Sequence, residues 1–205
     1  MYEEERGLCG ACHTRQCAED DRSGTHSLEQ EHILESSFMT LCPSIYQETD
    51  EKKLPQPYFE LKHYALNSKG ILCKGPSRTH KTRSCWMMLR RLHLEGIKII
   101  ALTETQFAQE SARLHRCHEI DHWLKRLCFC PLLFLDDIGH VAANNQHLQE
   151  LLHVVEQRTS WKRPIIATTQ YTGDELKSKT YTHAAKTVEA IVGRLREFCE
   201  VIEFS

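Results

Sequence analysis

The sequence predicts an α/β fold, a five-stranded parallel sheet flanked by helices, and three observations predict it. Short apolar runs of strand length begin near residues 71, 97, 131, 163 and 198, with helix-compatible stretches between them. The first run ends in a glycine that is followed, six positions on, by a Lys-Thr pair. The third run ends in two adjacent aspartates. Strands buried on both faces read as such near-continuous apolar runs.

Composition sets the outer bounds. The chain has 205 residues, which is room for one domain of ordinary size plus an N-terminal extension. It is 40% hydrophobic and 26% charged, with a net charge of −2 and a pI of 6.7, a soluble globular profile. That balance argues against a strongly basic nucleic-acid coat protein, and leaves room for a local basic patch, for which Arg78, Lys81, Arg83, Arg90 and Arg91 qualify. The longest apolar runs are of strand length, whereas a membrane-spanning helix needs about 20 residues. The acidic opening MYEEERG has no apolar h-region of a secretory signal, so a cytoplasmic location and reduced cysteines are expected.

Residues 1–43 form a polar extension without sustained periodicity, and 44–205 form the core. The extension holds Cys9, Cys12, Cys17 and Cys42, with His26 nearby. Two thiolates in the spacing C-G-A-C can share one tetrahedral ion, so a zinc knuckle completed by Cys17 and by Cys42 or His26 is one reading. A flexible tail with free thiols is the other, because a second C-x-x-C is absent.

Within the core, Leu54-Pro55-Gln56-Pro57 predicts a turn before a helix at about 58–67. The first strand then leads into GPSRTHKT, residues 75–82. This is the frame of a phosphate-binding P-loop, G-x-x-x-x-G-K-[ST], with His80 in place of the second glycine. Gly75, Pro76, Ser77, Arg78, Thr79, His80, Lys81 and Thr82 are therefore the candidate cradle for ATP. Backbone N–H groups and a helix N-terminus would face the phosphates, Lys81 would reach the β- and γ-phosphates, and Thr82 would complete a Mg²⁺ shell. His80 brings a Cβ to a position where glycine allows close approach, and its entry into left-handed space costs about 1–2 kcal/mol. That weakens phosphate binding without abolishing it and leaves turnover open.

Residues 82–94 predict the helix that follows the loop, with Gly96 as its stop, and IKIIAL at 97–102 predicts the second strand. Thr103-Glu104-Thr105-Gln106 is a capping box that opens the next helix. His115, Cys117, His118, His122, Cys128 and Cys130 lie along it. His118 and His122 are four apart on one helical face, a geometry that permits metal binding, while Leu114, Trp123, Leu124 and Leu127 favour a packing helix with ordinary histidines and core cysteines.

The third strand, in PLLFLDDIGH at 131–140, ends in a Walker B pattern. Asp136 would hold Mg²⁺ and Asp137 would orient the attacking water. A helix at 145–158 presents Leu148, Leu151, Leu152 and Val155 to the core. The fourth strand, RPIIATTQ at 163–170, ends where Thr169 or Gln170 can sense the γ-phosphate. The last helix carries Arg194 and Arg196 into a strand at 199–204. Arg194 can act as an arginine finger toward a neighbouring subunit, or with Arg196 can simply complement the helix dipole.

The order GPSRTHKT, LLFLDDIG, RPIIATTQ and GRLREFCEVIEF, with SIYQETDEKKLPQ at 44–56 as a lead-in, resembles the DnaC/IstB-like AAA+ ATPases over residues 44–205. The resemblance implies a P-loop NTPase core of AAA+ type with strand order 5-1-4-3-2, ATP and Mg²⁺ as ligands, and homo-oligomeric rings or spirals. It also implies single-stranded DNA and a replicative DNA helicase as partners. The C-terminal helical lid of larger AAA+ proteins is expected to be missing. Three roles fit: an ATP-dependent helicase loader or remodeller, a non-hydrolysing adaptor, and an IstB-type transposition accessory ATPase.

Overall fold

The computed structural model describes residues 50–67, 69–139, 145–176 and 184–205. The Cys9, Cys12, Cys17, His26 and Cys42 set lies outside the described residues, and so does most of the boundary near 43.

The described elements are α1 (Tyr58–Lys62), β1 (Gly70–Lys74), α2 (Lys81–Leu94), β2 (Ile99–Thr103), α3 (Glu104–Cys117), α4 (Ile120–Phe129), β3 (Leu132–Ile138), α5 (Asn145–Ser160), β4 (Ile165–Thr169), α6 (Ala185–Phe198) and β5 (Cys199–Glu203). The five strands form one sheet in the order β2-β3-β4-β1-β5. All four pairings are parallel. This is the expected order read from the other edge. β1 therefore sits beside β4, and the loop after β1 opens next to the ends of β4 and β3.

Both faces of the sheet are covered, which is why the central strands carry no polar alternation until their C-terminal ends. On one face α1 and α2 pack Tyr58, Leu61, Cys85, Met88, Leu89 and Leu92 against Ile71, Phe134 and Ile166. The spacing 85, 88, 89, 92 places one stripe of α2 on the sheet, and Trp86 meets Phe134 edge-on at 5.5 Å between ring centres. Helices α3 to α6 cover the other face, where Phe107, Trp123 and Leu127 join Leu133, Leu135, Val154 and Ile191. Leu54 is buried with the α1–α2 cluster, so the end of the lead-in belongs to the core.

Two expectations are corrected. The helix expected over 58–67 ends at Lys62, with His63 as its cap. Beyond it the backbone is claimed by side chains: the Asn67 carboxamide accepts from the Lys69 N–H at 2.7 Å, and the Arg91 guanidinium donates to the Tyr64 carbonyl. The stretch after the capping box is two helices and not one. The box itself forms as expected, Thr103 accepting from the Gln106 N–H at 3.1 Å. The first helix then ends at Cys117, because His118 turns left-handed at φ 59°. His118 and His122 therefore lie on different elements and share no helical face. The stop at Gly96 is as expected: at φ 85° the chain leaves α2, and the Ile97 N–H closes on the Leu92 carbonyl at 3.1 Å.

Candidate functional site

The loop from Gly75 to His80 leaves β1 at the C-terminal edge of the sheet and enters α2. Gly75 lies so close to the end of β5 that a Cβ on it would stand 2.0 Å from the Phe204 carbonyl oxygen, so no other residue fits there. Pro76, Ser77, Arg78 and His80 are exposed, and Thr79 is half-buried. Arg78 and His80 both adopt positive φ, 67° and 65°. His80 thus takes the left-handed conformation a P-loop glycine would take, and it stands as the N-cap of α2. α2 carries no acidic residue in its own first turn, and the carboxylate that faces that turn is Asp136, from β3.

Lys81 is buried, and its ammonium curls into the loop, donating to the Gly75 carbonyl at 2.7 Å and the Pro76 carbonyl at 2.6 Å. Burial holds its pKa below the ordinary lysine value, while the Asp137 and Asp136 carboxylates work in the other direction. An ammonium at the centre of a ring of backbone is placed to meet an anion seated on that ring.

The acidic pair faces this loop from β3. Asp136 is 6% exposed, and its Oδ1 accepts from the Thr82 hydroxyl at 2.9 Å and from the Thr168 hydroxyl at 2.5 Å. Burial raises its carboxyl above the usual aspartate range, and those two hydroxyls partly offset the rise. Asp137 sits at φ 57°, an uncommon conformation for a residue with a side chain, and its N–H donates to the Thr168 hydroxyl at 2.9 Å. Among the described residues no group of three or more His, Cys, Asp or Glu side chains could hold a metal ion by itself. A carboxylate and a hydroxyl meeting at 2.9 Å do suit Mg²⁺, which takes few protein oxygens and completes its shell with water and phosphate.

Of the two sensor candidates, Thr169 is buried and its hydroxyl donates to the Ile138 carbonyl at 2.8 Å. Gln170 reaches the loop directly, its carboxamide oxygen accepting from the Ser77 hydroxyl at 2.6 Å. Arg194 is half-exposed on α6, 3.7 Å from Glu197, its one polar partner among the described residues. It is not part of the site within one chain. Arg196 lines a cavity of about 300 Å³ between α6 and the sheet, with Leu72, Lys74, Val201 and the sensor candidate Thr169.

Two contributors escaped sequence reasoning. Thr168 bridges Asp136 and Asp137. Its only signal was its place one residue before the strand end, overshadowed by Thr169. Glu104, 2% exposed, accepts from the Gly139 N–H at 2.8 Å. Inside a capping box it reads as a solvated first-turn acid.

The sequence matches no protein-family model and no curated protein. The fold has solved counterparts. It is similar to a crystal structure of DnaI, with a TM-score of 0.66 over 80% of this chain and 95% of that one at 16% identity. A crystal structure of the DnaC helicase loader gives a TM-score of 0.63 at 16% identity over 80% of this chain and all 100% of that one. The replication initiator DnaA bound to AMPPCP and single-stranded DNA gives 0.60 at 17% identity over 73% of this chain and 44% of that one. At such identities the likeness establishes the fold alone, a five-stranded parallel sheet in the order β2-β3-β4-β1-β5 with helices on both faces.

Proposed function

We propose that the chain binds Mg-ATP and hydrolyses it as an AAA+ protein of DNA replication, loading or remodelling a replicative helicase. One observation carries the reading: the Thr82 hydroxyl of the loop is hydrogen-bonded to the Asp136 carboxylate of the acidic strand, with the Lys81 ammonium buried in the loop beside them. Two segments 54 positions apart converge on one point at the C-terminal edge of a parallel sheet, where such sheets bind ligands.

The loop Gly75, Pro76, Ser77, Arg78, Thr79 and His80 would seat the phosphates, and Lys81 would leave its two carbonyls for the β- and γ-phosphate oxygens. Thr82 and Asp136 would hold Mg²⁺, which when bound neutralises charge on the phosphates. Asp137 would orient the attacking water, and Gln170, already at the loop through Ser77, or Thr169 would report the γ-phosphate. Arg194, facing solvent, would serve a neighbouring copy in a homo-oligomer. The likeness to a helicase loader and to an initiator held on single-stranded DNA supports helicase and single-stranded DNA as partners.

A second reading is favoured by His80, whose Cβ occupies the close-approach position of the loop: a non-hydrolysing adaptor that keeps the fold as a scaffold. An IstB-type transposition accessory ATPase shares the same core. One experiment separates motor from adaptor. Mg-ATP binding and hydrolysis are measured with and without single-stranded DNA on the natural protein, Lys81→Ala and His80→Gly. A motor binds ATP, turns it over faster on DNA, and loses at least about tenfold in affinity with Lys81→Ala. Unchanged binding by Lys81→Ala would sink the central claim. Turnover by His80→Gly alone would put the adaptor first.

A further inference from the structure

Behind the acidic strand lies a buried polar layer that the phosphate site does not use. Glu104 opens α3 and is 2% exposed, and His147 on α5 is 3% exposed. One Glu104 oxygen accepts from the Gly139 N–H at 2.8 Å, and the other lies 3.5 Å from the His147 Nε2. The His147 ring rests on Phe107 at 5.6 Å between centres. One turn further along α5, Glu150 accepts from the Ser111 hydroxyl and contacts the His115 ring.

α3 does not need Glu104 as a cap, because Thr103 and Gln106 already form the box. A buried carboxylate is costly unless it is hydrogen-bonded or paired, and here the bond is to the Gly139 N–H. What Glu104 touches is the turn Asp137–Gly139. The β3–β4 register shifts between Leu135 and Ile138, so regular ladder pairing lapses where Asp137 adopts φ 57°. Three side-chain bonds hold that turn in its place. Thr168 takes the Asp137 N–H, Thr169 donates to the Ile138 carbonyl, and Glu104 takes the Gly139 N–H. Two of the three come from the adjacent strand. Glu104 brings the third from the helical layer, and an uncommon backbone conformation persists only when its surroundings over-determine it.

We infer that Glu104 is a positioning residue: through Gly139 it fixes the direction in which Asp137 presents its carboxylate. This rests on the reading of Asp137 as the group that orients the lytic water.

The test compares natural protein with Glu104→Ala, Glu104→Gln and Glu104→Asp, measuring Mg-ATP affinity, single-turnover hydrolysis and hydrogen exchange at the Gly139 amide. Glu104→Ala should keep its Mg-ATP Kd within about threefold while hydrolysis slows at least about tenfold, a loss in the chemical step without a loss in binding. Its Gly139 amide should exchange faster. Glu104→Gln, whose amide oxygen still accepts from Gly139, should restore rate and protection. If Glu104→Ala does not fold, Glu104→Asp carries the test, since a carboxylate one methylene short withdraws from Gly139 while charge is kept. Hydrolysis by the Ala or Asp variant at the natural rate overturns the inference alone. Equal impairment of the Gln variant does the same. Natural protein that binds no Mg-ATP overturns both this inference and the functional reading beneath it.

Discussion

His80 is the residue on which the chemistry of the loop turns. At φ 65° it holds a conformation that costs an L-residue about 1–2 kcal/mol and glycine almost nothing. His80→Gly should therefore stabilise the fold by about 1 kcal/mol, less what glycine loses in unfolded-state entropy. Urea denaturation at constant m reads the gain, and a fall in stability would show that the imidazole makes a contact worth more than the strain. The fault was legible in the sequence as a broken motif, and so were Lys81, Thr82 and Asp136. Which threonine of Thr168-Thr169 serves the acids was not legible. Successive strand residues point to opposite faces, and only the register of β3 against β4 decides which hydroxyl meets Asp136.

Among the elements, α5 shows how a helix end can be fixed without a salt bridge. Arg158 in its last turns is wholly buried. It donates to the carbonyls of Leu127 at 2.6 Å and Cys130 at 3.0 Å beyond α4, and to that of Pro164 at 2.7 Å before β4. One guanidinium thus joins the C-terminal ends of two helices to the start of a strand, satisfying carbonyls that a helix end leaves open. Arg158→Met should cost about 3 kcal/mol, because the chain would bury unsatisfied carbonyls that no methionine can serve. A shift of the urea midpoint at unchanged m checks this, and a loss under about 1 kcal/mol would mean that water replaces the guanidinium. Helix and strand identities were readable from apolar spacing, and the break at His118 was passed over because no Gly or Pro marks it, although Leu114 and Trp123, nine positions apart, would fall on opposite faces of one continuous helix.

For the molecule as a whole, acid stability follows from the buried polar layer. Burial holds the His147 imidazole below its usual value, against the pull of Glu104 and Glu150. The folded state keeps this group neutral where the unfolded chain takes up a proton, below about pH 6.5. Its contribution is complete above that value and is lost as pH falls toward the lower folded pKa, at up to about 1.4 kcal/mol per pH unit. Unfolding free energy followed from about pH 7.5 to about 5.5 should decline more steeply in the natural protein than in His147→Gln, and parallel curves would contradict it. The fold class was legible because five buried runs and two motifs constrain one another, whereas the strand order came only from the family resemblance. The polar layer was not legible, since Glu104 and Gly139 stand 35 positions apart and no spacing rule joins a capping box to the end of an acidic strand.

The sheet order also sets a timetable for synthesis. β1, which leads into the Gly75–His80 loop, pairs only with β4 and β5, and Gly75 leans on Phe204 just past β5. β2 and β3 find each other within about 30 residues of chain, whereas β1 waits for about 130 residues to complete its pairing. At about 5–20 residues per second on the ribosome that wait is on the order of ten seconds. During it the nascent chain carries Lys81 and Thr82 without a formed loop to hold them, so before β5 clears the exit tunnel the proposed nucleotide site is unassembled, and on that proposal ATP cannot guide its folding.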